Sequence, residues 1–383
     1  VPDKVLIKKI TYEDQSIPFK TKSIESYTKD NSPLIIKTKY LGIRDNKIKV
    51  QTEYQGQLRE TKNGISLIAE DLVNPIMADN FKCQSFCTVK DGNYFIKEGE
   101  WIIREPVVIN GNLTIQKGVS LKFYDDSYLL VRGSILASGT TENPIKFKAY
   151  SNFWKGIYVL GAQKKSLLEN VIIENVRALE DGLLKLTGAI NFYRSDVDFY
   201  NVTIDKVSAE DAINIIESSF SMNSVLIKNT GSDALDSDFS IGKIDNSKFQ
   251  DIGGDALDFS GSTVQINNVD VFNVKDKAVS GGEESLIEIN KGNFHDVGIG
   301  VASKDASNIV VTDTQIKNYR LFGVMSYVKK GFYSKPSSIS LYGCNIDKQS
   351  PYLRQNGTFM FADGLEIEEN SFDVDKLYSS QEI

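Results

Sequence analysis

Two short strings carry most of the chemistry that this sequence could perform. Asp233-Ala234-Leu235-Asp236 is followed 22 residues later by Asp255-Ala256-Leu257-Asp258, and Asp238 adds a fifth carboxylate. Carboxylates at repeated positions suit two tasks. They can divide acid and base roles between them when their environments differ. They can also present oxygen ligands to a hard cation such as Ca²⁺, which takes six to eight of them in forgiving geometry. Lys277 is the nearest basic side chain at a corresponding position. The single histidine, His295, and three cysteines exclude zinc sites built from several histidines or four cysteines. His295 lies beside Asp296, serves no evident nucleophile and reads as a surface residue.

These residues sit in a chain of 383 amino acids with 41% hydrophobic and 25% charged residues, ordinary values for a globular protein. No run approaches the roughly 18 apolar residues that span a bilayer. The net charge of -7 disfavours nucleic acid and anionic membranes as partners. It would also repel an acidic polysaccharide unless divalent cations bridged the two. The chain starts at Val1 without a Met, so a leader either removed or lying outside this sequence is expected, and with it a secreted, periplasmic or cell-surface location. Cys83 and Cys87 could pair across a short loop, leaving Cys344 free.

An internal repeat must position the aspartates. Ala212, Ala234, Ala256 and Ala278 are spaced by 22 residues, the step holds to Gly300, and Gly323 follows after 23. The residue after each is aliphatic. A second ladder runs Ile173, Ile204, Ile227, Phe249, Val271, Phe294 and Ile316, each followed two residues later by Asn175, Lys206, Asn229, Asp251, Asn273, Asp296 or Asn318. Alternation at period two and turn residues every few positions exclude helical repeats. The pattern therefore predicts an all-β chain, a parallel β-helix of stacked 22-residue turns about 4.8 Å apart, wound right-handed.

Stacking makes identical positions neighbours. Ile213, Leu235, Leu257 and Val279 should form an inward ladder, and the Asn/Asp ladder should occupy turns with positive φ. Asn191, Asn214, Asp236, Asp258 and Ser280 should form an outward column, with the alanines beside it leaving a groove. Asp211, Asp233 and Asp255 should form a parallel column at the preceding turn. A purely structural account of the same residues has Asp233 and Asp255 accepting turn N–H bonds and Asp236 and Asp258 solvated. Residues 1–98 lack the repeat and read as a small β-rich accessory domain, with strands over 5–12, 33–44 and 47–60, capping a solenoid that fills 99–383.

The strings Asn112–Leu121, Tyr128–Leu136, Asn143–Phe147 and Trp154–Tyr158 are similar to the opening turns of secreted right-handed β-helix proteins of the pectate-lyase-like superfamily. Asp233–Asp236 and Gly254–Asp258 resemble the calcium-binding turns of its pectate lyases. The resemblance implies Ca²⁺ held by Asp233, Asp236, Asp255 and Asp258. It also implies a proton-abstracting Lys or Arg, where this sequence has Asp258 and, one turn on, Lys277. The Asn-Thr-Asp and Gly-His-Gly strings of polygalacturonases are missing.

Two functions follow as expectations. The first is a secreted or surface protein that binds polysaccharide without turnover, through Asn191, Asn214, Asp236 and Asp258. Aromatic residues around Phe192, Tyr193, Phe199 and Tyr200, and around Tyr319, Phe322, Tyr327, Phe332 and Tyr333, would stack on its sugars. The alternative is a polysaccharide lyase or glycoside hydrolase that uses Asp236, Asp258 or Lys277 as catalytic groups.

Overall fold

The computed structural model describes residues 5–12, 15–16, 23–24, 48–54, 57–61, 86–181, 184–331 and 333–379. The chain forms two compact units, Val1–Ala78 and Asp79–Ile383. In the first, Val5–Tyr12 pairs antiparallel with Ile48–Tyr54, which pairs with Gln57–Thr61. The run expected as one strand over 47–60 is thus a hairpin, and the strand expected over 33–44 lies outside the described residues, as do Cys83 and Phe332.

The second unit is a parallel β-solenoid of about 11 turns. Each turn contributes to three ladders. In one turn these are Asp233–Asp238, Ile241–Asp245 and Lys248–Ile252, and the next turn adds Leu257–Ser260, Thr263–Asn267 and Asp270–Gly282 in parallel register. Ile213, Leu235, Leu257 and Val279 are directly in register and fully buried. Side chains that repeat every turn fill one continuous core without helical packing.

The turn ladder follows the sequence reading. Asn175, Lys206, Asn229, Asp251, Asn273, Asp296 and Asn318 all have φ between 50° and 59°. Asparagine and aspartate tolerate that left-handed conformation best, and Lys206 occupies it as well. The side chains of Asn229, Asn273 and Asn318 donate to a carboxylate of the neighbouring turn, not to its backbone, as where Asn273 Nδ2 donates to Asp251 Oδ1 at 2.6 Å.

A second polar ladder is buried. The N–H groups of Ser195, Ser218, Ser240, Ser262 and Ser285 donate to Oγ of Ser218, Ser240, Ser262, Ser285 and Ser307, at 2.8–3.1 Å. Each hydroxyl thus satisfies a corner amide that no sheet can pair.

The alanine ladder departs from expectation. Ala189, Ala212, Ala234, Ala256 and Ala278 are fully buried in the core and line no groove. Two consecutive inward residues, Ala then Leu, occur because the chain turns a corner as it enters the strand. Space at that corner is short, so the position is small. At Gly300 an added Cβ would lie 2.4 Å from Ile316 Cγ2 and 2.5 Å from the Gly323 carbonyl oxygen.

Hairpins close both edges of one ladder. Cys87–Lys90 pairs antiparallel with Asn93–Ile96 at the start, and Leu365–Glu366 with Phe359–Ala362 at the end. These blunt edges would otherwise template further strands.

Gly300→Ala should lower stability by about 1–3 kcal/mol, the usual cost of overpacking, because a backbone oxygen bounds the space. Denaturant unfolding checks it; an unchanged midpoint would show that the corner can relax.

Candidate active site

The ladder that carries the aspartates aligns Tyr158, Asn191, Asn214, Asp236, Asp258, Ser280, Ala302 and Met325 in one outward column. Its two ends are covered. At one end Leu179, in the hairpin Leu179–Asp181/Leu184–Leu186, packs with Tyr128, Leu130 and Tyr158. At the other, Phe372, Val374 and Leu377 pack over Ala302, Met325 and Tyr327. Between these covers lie the acidic residues, recessed rather than on an open surface.

Each carboxylate has a defined role in the bonding. Asp233 Oδ1 accepts the Asp255 N–H at 2.8 Å, and Asp255 Oδ1 accepts the Lys277 N–H at 2.9 Å. The preceding-turn aspartates therefore bond the backbone of the next turn, as the structural account held. Asp236 and Asp258 do not follow that account. They are partly buried, with Asp236 Oδ2 accepting from Asn214 Nδ2 at 3.1 Å. The same amide donates to Asp211 Oδ2 at 3.1 Å. Asp258 keeps 23% of its side chain exposed, and its Oδ1 is buried without a hydrogen-bond partner.

Two lysines offset part of this charge. Lys277, only 2% exposed, lies 3.4 Å from Asp255 Oδ1 and 2.6 Å from Asp276 Oδ2. Lys304 reaches back to place its ammonium 3.6 Å from Asp258 Oδ1. It does so across Gly282, where a Cβ would lie 2.9 Å from Lys304 Cε. The sequence reading missed Lys304. The available signal was its register: Asp238, Ser260, Gly282 and Lys304 follow each other in one column.

The environments drive the carboxyls apart. Burial, with Asp238, Asp211, Asp258 and Asp233 adding repulsion, pushes Asp236 well above the ordinary carboxylate range. Burial alone would raise Asp258 as well, but the Lys304 and Lys277 ammoniums outweigh it and hold Asp258 below that range. Burial raises Asp255 despite Lys277. Burial also raises Asp211 to about 7 and Asp233 to about 6. A neutral carboxyl next to an ionised one, in register on adjacent strands, is the arrangement that lets one group donate a proton while the other attacks or stabilises charge.

Asp233, Asp255 and Asp258 bring oxygens within 4.8 Å of one another, the spacing of a cation site. Asp236, expected as a fourth ligand, is not in that group. The three carboxylates could hold a cation, but part of the donor set is already committed. One oxygen each of Asp233 and Asp255 already accepts a backbone N–H, and the Lys277 ammonium sits against Asp255. A buried lysine held by two carboxylates supplies the positive charge that a metal would bring.

Asn191, at 7% exposed, donates to the Gly188 carbonyl oxygen at 2.7 Å. Of the aromatic candidates, Phe192, Phe199 and Tyr327 are core residues. Tyr193 remains on the ladder's outer side, with the Arg194 guanidinium 5.1 Å from its ring centroid. His295 stacks on Phe272 and bonds Asp296 at 2.9 Å, on a different ladder.

Comparison with known protein families and with curated proteins found no match. Among solved structures, the chain is similar to a mutant of the periplasmic alginate epimerase AlgG, at 12% identity and a TM-score of 0.46 over 82% of this chain and 85% of that one. It is also similar to the catalytic domain of a GH87 α-1,3-glucanase in complex with nigerose, at 12% identity and a TM-score of 0.33 over 97% and 86%. An alginate lyase from Paenibacillus sp. str. FPU-7 aligns at 10% identity and a TM-score of 0.26 over 66% and 93%. At these scores the likenesses assign no chemistry to this chain.

Carboxyls with raised folded pKa values bind their protons more tightly folded than unfolded. Their stabilising contribution is complete below about 4 and is lost as pH rises through the raised values. The melting temperature should therefore fall between pH 4 and about 7, where Asp211 and Asp233 titrate. Asp211→Asn should flatten that slope; an identical slope in the variant would remove Asp211 as its cause.

Proposed function

We propose that the protein is a polysaccharide-active enzyme, a glycoside hydrolase working with Asp236 as general acid and Asp258 as nucleophile. The observation that carries this reading is the in-register pair whose pKa values are driven in opposite directions. Parallel neighbours about 4.8 Å apart come close to the separation of about 5–5.5 Å used by retaining glycosidases.

In this reading Asp236 protonates the glycosidic oxygen while the Asp258 carboxylate attacks the anomeric carbon, forming a glycosyl-enzyme and releasing the leaving sugar. Asp236, now ionised, then takes a proton from a water molecule whose oxygen attacks the anomeric carbon. Asp258 is expelled and both groups return to their starting states. Lys304 keeps Asp258 ionised without touching substrate. Lys277 serves as a counter-charge, since burial between Asp255 and Asp276 withholds it from abstracting a substrate proton.

Binding without turnover is the weaker reading. A scaffold needs no recessed carboxyls with opposed ionisation, and strongly perturbed groups gather where chemistry is done. Calcium is likewise not needed for the proposed steps, because Lys304 and Lys277 already hold Asp258 ionised, the one charge those steps require. A disulfide-bonded Cys87 supports an oxidising, extracytoplasmic location.

Release of reducing ends from a panel of glycans tests the activity, and no release from any member would overturn it. Asp236→Asn and Asp258→Asn should each reduce the rate by about 10²–10⁴-fold. The pH profile should be bell-shaped, losing activity on the alkaline side as Asp236 ionises and on the acid side as Asp258 gains a proton. Lys304→Met should move the acid limb to higher pH; an unmoved limb would show that Lys304 does not set the charge of Asp258. Melting temperatures should be equal in millimolar calcium and in chelator, and a calcium-dependent rise would return Asp233, Asp255 and Asp258 to the role of ligands.

A further inference from the structure

We infer that the polysaccharide taken by this site is uncharged, a neutral glycan and not a polyuronate; the inference rests on the glycosidase reading and names its substrate class. Recognition of a polyuronate needs positive charge for each sugar carboxylate, from Arg, Lys or a bridging divalent cation. Among the described residues around this site, five basic groups are each paired with a carboxylate. Arg194 Nε lies 2.7 Å from Glu217, Lys277 is held by Asp255 and Asp276, and Lys304 faces Asp258. On the segment following the Phe322–Tyr327 strand, Lys330 pairs with Glu283, and Lys335 lies 3.3 Å from Glu284. Of the three carboxylates at a spacing that would suit a divalent cation, Asp233 and Asp255 each give one oxygen to a backbone N–H, and the Lys277 ammonium lies 3.4 Å from Asp255.

The carboxylates outnumber these cations. Asp211 and Asp236 share a neutral donor, the Asn214 amide, and Asp238 is raised by burial and by Glu283 and Asp258. The field that favours protons on these groups opposes the entry of another carboxylate. A uronate would bring one with every sugar.

What the site offers instead is neutral. Asn214 is 5% exposed with Oδ1 lacking a hydrogen-bond partner, a buried acceptor at the centre of the column. Asn191 is the next amide in register. The half-buried Tyr193 ring flanks them on the same ladder. Amides and a protonated carboxyl exchange hydrogen bonds with hydroxyls, and a phenol ring packs on a pyranose face.

Matched pairs of glycans separate charge from linkage. Affinity electrophoresis and reducing-end release would compare polygalacturonate with its fully methyl-esterified form, and alginate with carboxyl-reduced alginate. An α-1,3-glucan, a β-1,3-glucan and a xylan complete the neutral set. A neutral glycan should bind, each uncharged partner should bind at least about tenfold more tightly than its acid, and the gap should narrow as salt screens the field. Equal or tighter binding of an acid form would overturn it, and so would failure of every neutral glycan to bind. A neutral glycan bound but never cleaved would sink the hydrolase and leave the charge selection standing. A polyuronate cleaved without forming an unsaturated product would do the opposite.

Discussion

Everything in the second unit depends on one constraint, the in-register stacking of successive turns about 4.8 Å apart. It makes each residue the neighbour of its own counterpart, so a choice made in one turn is repeated or answered in the next. For apolar residues this is purely favourable: Leu235 lies on Leu257, and a dry core runs the length of the solenoid. For small residues it is a limit, because a corner that admits Ala256 admits only glycine at Gly300. For carboxylates it is a cost, since like charges are brought together and removed from water.

The way that cost is met gives the site its character. Asp233 and Asp255 turn their oxygens to backbone N–H groups of the following turn, so part of the repulsion is traded for corner hydrogen bonds. Lys277 and Lys304 answer much of the rest from two later turns. They are unevenly placed: both act on Asp258, whereas Asp236 has carboxylates and an amide around it. The opposed ionisation of two chemically identical, stacked side chains is a consequence of where the lysines stop.

Covers at the two ends of the ladder matter to the same electrostatics. The Leu179 hairpin and the Phe372–Leu377 segment bury the outward column beyond the acidic stretch. With less water around it, each charge in the recess acts more strongly on its neighbours. A flat, open sheet with the same aspartates would leave them near their ordinary ionisation.

The sequence by itself determined the solenoid. A step of 22 residues, alternation at period two and turn residues at fixed offsets leave little else, and the positive φ values at Asn229 and Asp251 follow from the residue types. It also determined which aspartates would meet, because register is arithmetic once the step is known. It did not determine which way the alanines faced, since a strand entered through a corner breaks strict alternation. Nor did it determine the ionisation of Asp236 and Asp258 or the part played by Lys304. Those depend on burial and on a side chain that spans two turns across Gly282, a path that no spacing along the chain records. Periodicity is a property of the sequence; the electric field at one carboxyl is a sum over the whole fold.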